Sequence, residues 1–202
     1  MKHPGQTLLM PPEGVSKVVL HACCAPCSAA IVEWMLSHGV QPIVFYCNPN
    51  IFPKSEYLRR KAELTRMANQ LSLEVVDGDA DHEAWRNNVL RLGLQNEPER
   101  GARCRWCFEG RMRATASLAL ERGVRVFTTT LASSRWKDLE QINAAGESAA
   151  HACPGTIFWS QNWRKGGLTE RRAALVRQYD FYRQDYCGCE FSIRQQNILS
   201  SE

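Results

Sequence analysis

Lys17-Val18-Val19-Leu20-His21-Ala22-Cys23-Cys24-Ala25-Pro26-Cys27-Ser28 is the stretch whose reading decides the fold. Its first half is a short apolar run and predicts a buried strand. Its second half sets two adjacent cysteines, and then a third, where that strand ends. Ser28 to His38 predicts a helix, stopped by Gly39. The same rhythm continues outward. Val40 to Cys47 predicts a second strand, with Pro42 assigned to its lead-in, and Asn48-Pro49-Asn50-Ile51-Phe52-Pro53 a loop. From Lys54 to Leu71, Tyr57, Leu64, Met67, Ala68 and Leu71 recur at helical spacing. Leu73 to Val76 predicts a third strand, Asp81 to Leu92 a helix, and 105–122 a further helix ended by Gly123. Val124 to Thr129 is the fourth strand, Lys137 to Ala150 a helix, Ile157-Phe158-Trp159 a last strand and Thr169 to Tyr182 a last helix.

Strands alternating with helices predict an α/β chain: one domain with a mostly parallel, Rossmann-like sheet and helices on both faces. Open parallel sheets place their sites beyond the carboxyl ends of the strands. Cys23-Cys24, Asn48-Pro49-Asn50 and Thr128-Thr129-Thr130 all follow predicted strands, so they are expected to converge on one edge, with a metal site there.

The 202 residues suffice for one core, and 44% apolar with 23% charged residues is ordinary for a globular protein. No stretch approaches the roughly 20 apolar residues that span a bilayer, and Met1-Lys2-His3-Pro4-Gly5 lacks a signal-peptide core. Residues 1–16 read as a mobile tail, 17–195 as a single catalytic domain and 196–202 as a C-terminal tail. The expected compartment is the cytoplasm, with no membrane partner. Structural disulfides are rare there, so grouped cysteines point to metal binding or catalysis. The net charge of +4 is modest, but Arg100, Arg103, Arg105, Arg111, Arg113, Arg122 and Arg125 face only Glu109 and Glu121 over 100–125. Further basic residues gather at Arg59-Arg60-Lys61, Arg164-Lys165 and Arg171-Arg172. Such a surface attracts an acidic partner; the plainer reading is a set of solvated helix faces.

All of the nine cysteines except Cys47 and Cys153 fall into three groups. Cys104 and Cys107 form a C-x-x-C pair at a predicted helix start, where the helix dipole favours a thiolate. Cys23 and Cys24, in a turn supplied by Ala25-Pro26, add two more sulfurs, completing the four thiolates a [4Fe–4S] cluster takes. Zinc accepts four cysteines too. Zinc ribbons use two C-x-x-C knuckles, and this chain has one knuckle and one adjacent pair, which tilts the reading toward iron–sulfur. Cys27 is placed to ligate a second metal ion. Cys187-Gly188-Cys189 reads as a redox-active dithiol, since two thiols one residue apart close a small strained ring; two further metal ligands are the other reading. Cys47 and Cys153 read as small buried apolar residues.

At these residues the chain resembles a known family. H-x-C-C-A-P-C-S from His21, Y-C-N-P-N-I-x-P-x-x-E-Y from Tyr46, G-x-R-C-x-x-C-F from Gly101, T-T-T-L-x-S-S from Thr128 and Y-R-Q-x-Y-C-G-C-x-F-S from Tyr182 occur in this order. They look like the QueH family of epoxyqueuosine reductases, over about Val18 to Ser192. The resemblance implies reduction of the epoxide of epoxyqueuosine to the alkene at the tRNA wobble position, without cobalamin. It implies a [4Fe–4S] cluster on Cys23, Cys24, Cys104 and Cys107, a redox-active disulfide of Cys187 and Cys189, and a further metal ion, here iron. The implied partners are epoxyqueuosine tRNA and an unidentified electron donor. Two departures stand out. Some members carry an acidic residue where this chain has Cys27. Many carry an Asp-Phe-Lys/Arg-Lys-x-Gly-Gly stretch where this chain reads Asn162-Trp163-Arg164-Lys165-Gly166-Gly167.

Epoxide reduction also needs a general acid for the leaving oxygen. Asp185, Tyr186 and His21 flank the cysteine groups, with Asp185 taken as the catalytic choice and His21 also readable as a satisfied core histidine. Trp106, Phe108 and Tyr186 are aromatic candidates for stacking on the modified base. The rival function is a zinc-stabilised RNA-binding protein without redox activity.

Overall fold

A computed structural model describes residues 9–78, 81–184 and 186–192. Five strands, β1 (Lys17–His21), β2 (Gln41–Tyr46), β3 (Val75–Asp77), β4 (Val126–Thr129) and β5 (Ile157–Phe158), form one sheet in the order β3-β2-β1-β4-β5. Every pairing is parallel. Six α-helices intervene or follow: α1 (Ala25–Ser37), α2 (Lys54–Gln70), α3 (His82–Arg91), α4 (Ala102–Glu121), α5 (Leu139–Ala152) and α6 (Leu168–Gln178), with a 3-10 turn at Thr130–Ser133. The expected α/β class and parallel sheet are both present.

The central position of β1 follows from its composition. Val18, Val19, Leu20 and His21 are all shut off from solvent, as a strand covered on both faces must be. Right-handed crossovers carry the chain outward from β1 through β2 to β3, then back past β1 to β4 and β5, so the two directions of winding deposit helices on opposite faces. α1, α2 and α6 pack together on one side, and α4 and α5 on the other. The turn-back between β1 and β4 is a topological switch point, where the loops after two neighbouring strands diverge and leave a crevice.

Pro42 lies inside β2, paired with Val18, rather than in a lead-in. The register explains why this costs no ladder bond. Gln41 N and Phe45 O face β1, so position 42 faces the β3 side, and β3 pairs with β2 only from Val44 onward. α1 starts at Ala25, earlier than the apolar pattern suggested, because Pro26 sits in its first turn, where a missing N–H costs nothing. α6 stops at Gln178, short of the expected Tyr182; Tyr179 and Phe181 stack instead, at 5.5 Å between centroids. The chain also packs earlier than a tail through residue 16 would allow: Leu9 is buried in the main core, and Ser16 O accepts from Gln41 N at 2.8 Å. Among the described residues no helix is long and apolar enough to cross a membrane.

Candidate active site

The loops after β1, β2 and β4 meet at the carboxyl edge of the sheet. Asn48, just past β2, donates from Nδ2 to Ala22 O at 2.9 Å. Thr130, just past β4, accepts from Cys23 N at 3.3 Å. Beyond them opens a cavity of about 480 Å³. Cys23, Cys27, Cys104 and Cys187 all line it, drawn from three distant parts of the chain. Both helix N-termini that carry cysteines face it: Cys24 is the N-cap of α1, and Cys104 lies in the first turn of α4. Partial positive charge from the two dipoles suits sulfur anions.

Cys23, Cys24 and Cys27 form the tightest group, with their sulfurs all within 4.8 Å of one another. Thiols this close share hydrogen bonds rather than ionise together. Donation from Cys24 and then from Cys27 holds Cys23 well below the ordinary thiol range. Cys24 is pushed well above that range, and Cys27 up to about 12, each chiefly through its bond with Cys23. Each of the four expected cluster cysteines already accepts a hydrogen bond. Thr130 Oγ1 donates to Cys23 Sγ at 3.6 Å and Gln184 Nε2 to Cys24 Sγ at 2.8 Å. Arg100 N donates to Cys104 Sγ at 3.3 Å and Arg111 Nη2 to Cys107 Sγ at 3.2 Å.

The Cys187-Gly188-Cys189 segment is held on three sides. Phe52 N donates to Gly188 O at 2.9 Å, and Ile51 bridges Cys189. Arg60, buried and paired with Glu56 at 2.6 Å, donates to the carbonyls of Tyr186 and Cys187 at 3.3 Å each. Gly188 has φ +94°, and a Cβ there would meet Arg60 Nη1 and Ile51 Cγ1 at 3.0 Å, so only glycine fits both the backbone and the space. The two sulfurs face different surroundings. Cys189 is buried with Trp85, Val89, Cys107 and Phe191, and burial pushes it up to about 11. Cys187 faces the cavity, where Lys137 Nζ donates to its sulfur at 3.2 Å. Burial alone would raise Cys187; Lys137 and Arg111 outweigh it and hold the thiol below its ordinary range.

All nine cysteines are free thiols. Cys47 and Cys153 belong to the main core, as small buried apolar residues. His21 is a satisfied core histidine. Its Nε2 must donate to Cys47 O at 3.0 Å, which leaves Nδ1 to accept from Thr129 Oγ1 at 2.9 Å. Burial, then the Arg111 charge, lowers its pKa to about 4. Tyr186 lines the cavity, but its hydroxyl is committed to Phe52 O at 2.8 Å. Asp185 lies outside the described residues. Phe108 is a buried wall of the cavity, and Trp106 packs against Trp85 at 6.3 Å, away from its lining. Asn162, where many family members carry aspartate, caps Arg164 N at 3.1 Å and does not line the cavity.

Sequence reasoning missed Lys137 and misjudged Arg111. Arg111 is buried and reaches Cys107, Asn48 and Asn50, tying α4 to the loop after β2. Arg103 is buried too, holding the carbonyls of Leu94 and Gln95 at 3.3 and 3.1 Å. Part of the basic run is therefore internal framework. One signal was available: arginine four residues after a C-x-x-C cysteine puts the guanidinium on the same helix face as the sulfur.

A parallel α/β sheet with four cysteines lining a cation-rich cavity at its switch point defines the class, an α/β protein with a cysteine-lined site at the strand ends. The comparisons narrow it. A family model described as epoxyqueuosine reductase QueH matches residues 18–195. A protein of Histophilus somni (strain 129Pt) named Epoxyqueuosine reductase QueH is 42% identical over 186 residues, covering 92% of this chain and 76% of that protein. Its namesake in Haemophilus influenzae (strain ATCC 51907 / DSM 11121 / KW20 / Rd) is 42% identical over 191 residues, 95% and 77% of the two chains. The one in Thermotoga maritima (strain ATCC 43589 / DSM 3109 / JCM 10099 / NBRC 100826 / MSB8) is 33% identical over 186 residues, 92% and 94%. The chain belongs to the QueH family of epoxyqueuosine reductases.

Proposed function

We propose that this protein is an oxidoreductase that converts epoxyqueuosine to queuosine at the wobble position of tRNA. The observation that carries the reading is the Cys187 sulfur, which accepts from Lys137 Nζ at 3.2 Å in a cavity it shares with Cys23, Cys27 and Cys104. Family membership supports the same reaction and disfavours a zinc protein without redox activity. A tRNA substrate places the activity in the cytoplasm, and residues 17–195 are taken as the catalytic unit.

Removing the epoxide oxygen as water and leaving a C=C bond takes up two electrons and two protons. Oxidation of the Cys187 thiolate and the Cys189 thiol to a disulfide releases two electrons and one proton; with the second proton drawn from the Lys137 ammonium, one disulfide balances one turnover. An external electron donor then restores the dithiol. Cys187 is the reacting thiolate, and Cys189, kept protonated in its apolar cluster, is the partner that closes the disulfide. Lys137 Nζ is the proton source nearest Cys187; burial disfavours its ammonium, but the charge of Cys187 more than compensates. Asp185 is the second acid, next to the dithiol in sequence. Ile51, Phe108 and Leu131 supply apolar wall that limits water.

The donor set fits a [4Fe–4S] cluster. Cys23, Cys24, Cys104 and Cys107 would hold it, and their hydrogen-bond donors stabilise anionic sulfur. When bound, the cluster supplies electrons one at a time. Cys27, beside Cys23 and Cys24 but outside the cluster set, would ligate a further metal ion, for which we propose iron.

Protein purified without oxygen should convert epoxyqueuosine tRNA in the presence of dithionite, read by mass spectrometry of the digested nucleosides. Cys187→Ser and Cys189→Ser should each abolish conversion. Full conversion by either variant rules out the dithiol as the two-electron store.

A further inference from the structure

Trp136 is 66% exposed, and among the described residues it is the one exposed large apolar side chain that lines the cavity. Its exposure is not the looseness of a free loop. Arg100 donates to Arg135 O at 3.3 Å and to Trp136 O at 2.9 Å, and Arg164 donates to Lys137 O at 2.8 Å. Three consecutive carbonyls are thus pinned by guanidinium groups. Gln141 in turn fixes Arg100 through its carbonyl at 2.6 Å, and Arg100 N reaches Cys104. The backbone that carries the indole is thus held beside the cavity, while the next residue, Lys137, reaches Cys187. Arg135 lies over the indole at 4.7 Å from the ring centroid. The charge around it has one sign: Arg60, Arg100, Arg111, Lys137 and Arg172 line the cavity against the single carboxylate of Glu99 among the described residues.

An exposed aromatic ring on a pinned backbone amid cations matches a nucleobase beside its phosphates. We propose that Trp136, backed by Arg135, is the stacking platform for the nucleotide that flanks the reacting base, and that it selects single-stranded loop over duplex. The inference rests on the reductase reading for which base enters the cavity. Adjacent residues set the register: the base on Trp136 is the neighbour of the group that meets Lys137 and Cys187. A duplex keeps its bases stacked on one another and presents none to the indole.

The test is binding of an unmodified anticodon stem-loop and of a loopless RNA duplex of the same length, by fluorescence anisotropy at one fixed salt concentration. Trp136→Ala should weaken stem-loop binding about 5- to 150-fold, the range for loss of one base–aromatic stack, and leave duplex binding unchanged. Trp136→Phe should restore most of the loss. Wild-type binding by Trp136→Ala, equal loss on both RNAs, no rescue by phenylalanine, or no loop preference in the wild-type chain would each overturn the platform. The RNA carries no epoxide, so this readout stands apart from conversion of epoxyqueuosine tRNA, whose failure would count against the reductase reading alone.

Discussion

At Cys187 two forces oppose each other. Burial penalises the thiolate, and the Lys137 ammonium at 3.2 Å, with Arg111 behind it, favours it by more. A lowered thiol carries more thiolate at any given pH; removing its cation moves the titration up and depletes that share. Lys137→Ala should therefore slow iodoacetamide alkylation of Cys187 at pH 7 by roughly tenfold, the factor for one unit of pKa, with the rate recovering at higher pH. Cys189, pushed the other way by burial, should resist alkylation in both proteins. Peptide mapping of the labelled sites checks both outcomes. The cysteines were legible in sequence because their type and spacing carry the chemistry. Lys137 was not, since it lies 50 residues from Cys187 and only folding brings the two together. Arg111 was read as surface charge, because a sequence shows an arginine's charge but not the asparagines that satisfy it.

At the scale of elements, the strands and helices were read from local pattern with errors of a few residues at their ends. Those errors have local causes, such as Pro26 admitted to the first turn of α1. Packing between elements is a different matter. In α5, a Cβ on Gly146 would run into the ring of Phe158 in β5, which is itself set against Phe127 at 5.4 Å. Gly146→Ala should destabilise the fold by about 1–3 kcal/mol, the usual cost of overpacking, measured by urea unfolding. In β1, Leu20 is wholly buried between the two helical layers. Leu20→Ala should cost about 2–5 kcal/mol, read in the same way, and should loosen the strand that delivers Cys23.

At the scale of the molecule, the proposed cofactor draws ligands from both helical layers: Cys23 and Cys24 at the start of α1, Cys104 and Cys107 in α4. Anaerobically purified protein should contain about four iron and four acid-labile sulfide per chain, the content of one such cluster, with any further iron assigned to Cys27. Cys104→Ser should lower both and reduce thermal stability, since the two layers lose a shared tie. Zinc without sulfide after reconstitution would instead remove the cluster from the mechanism.

The sequence by itself determined the α/β class, the run of elements, the three cysteine groups and the edge on which the strand-end loops meet. These follow from periodicity, from residue type and from the rule that parallel sheets bind at their carboxyl ends. Only the tertiary structure decided the strand order β3-β2-β1-β4-β5, the burial of Arg103 and Arg111, the Lys137–Cys187 contact and the exposure of Trp136. The reason is physical. Local patterns record what each segment prefers, whereas a side chain's charge state, partner and access to solvent depend on neighbours that the chain supplies from far away.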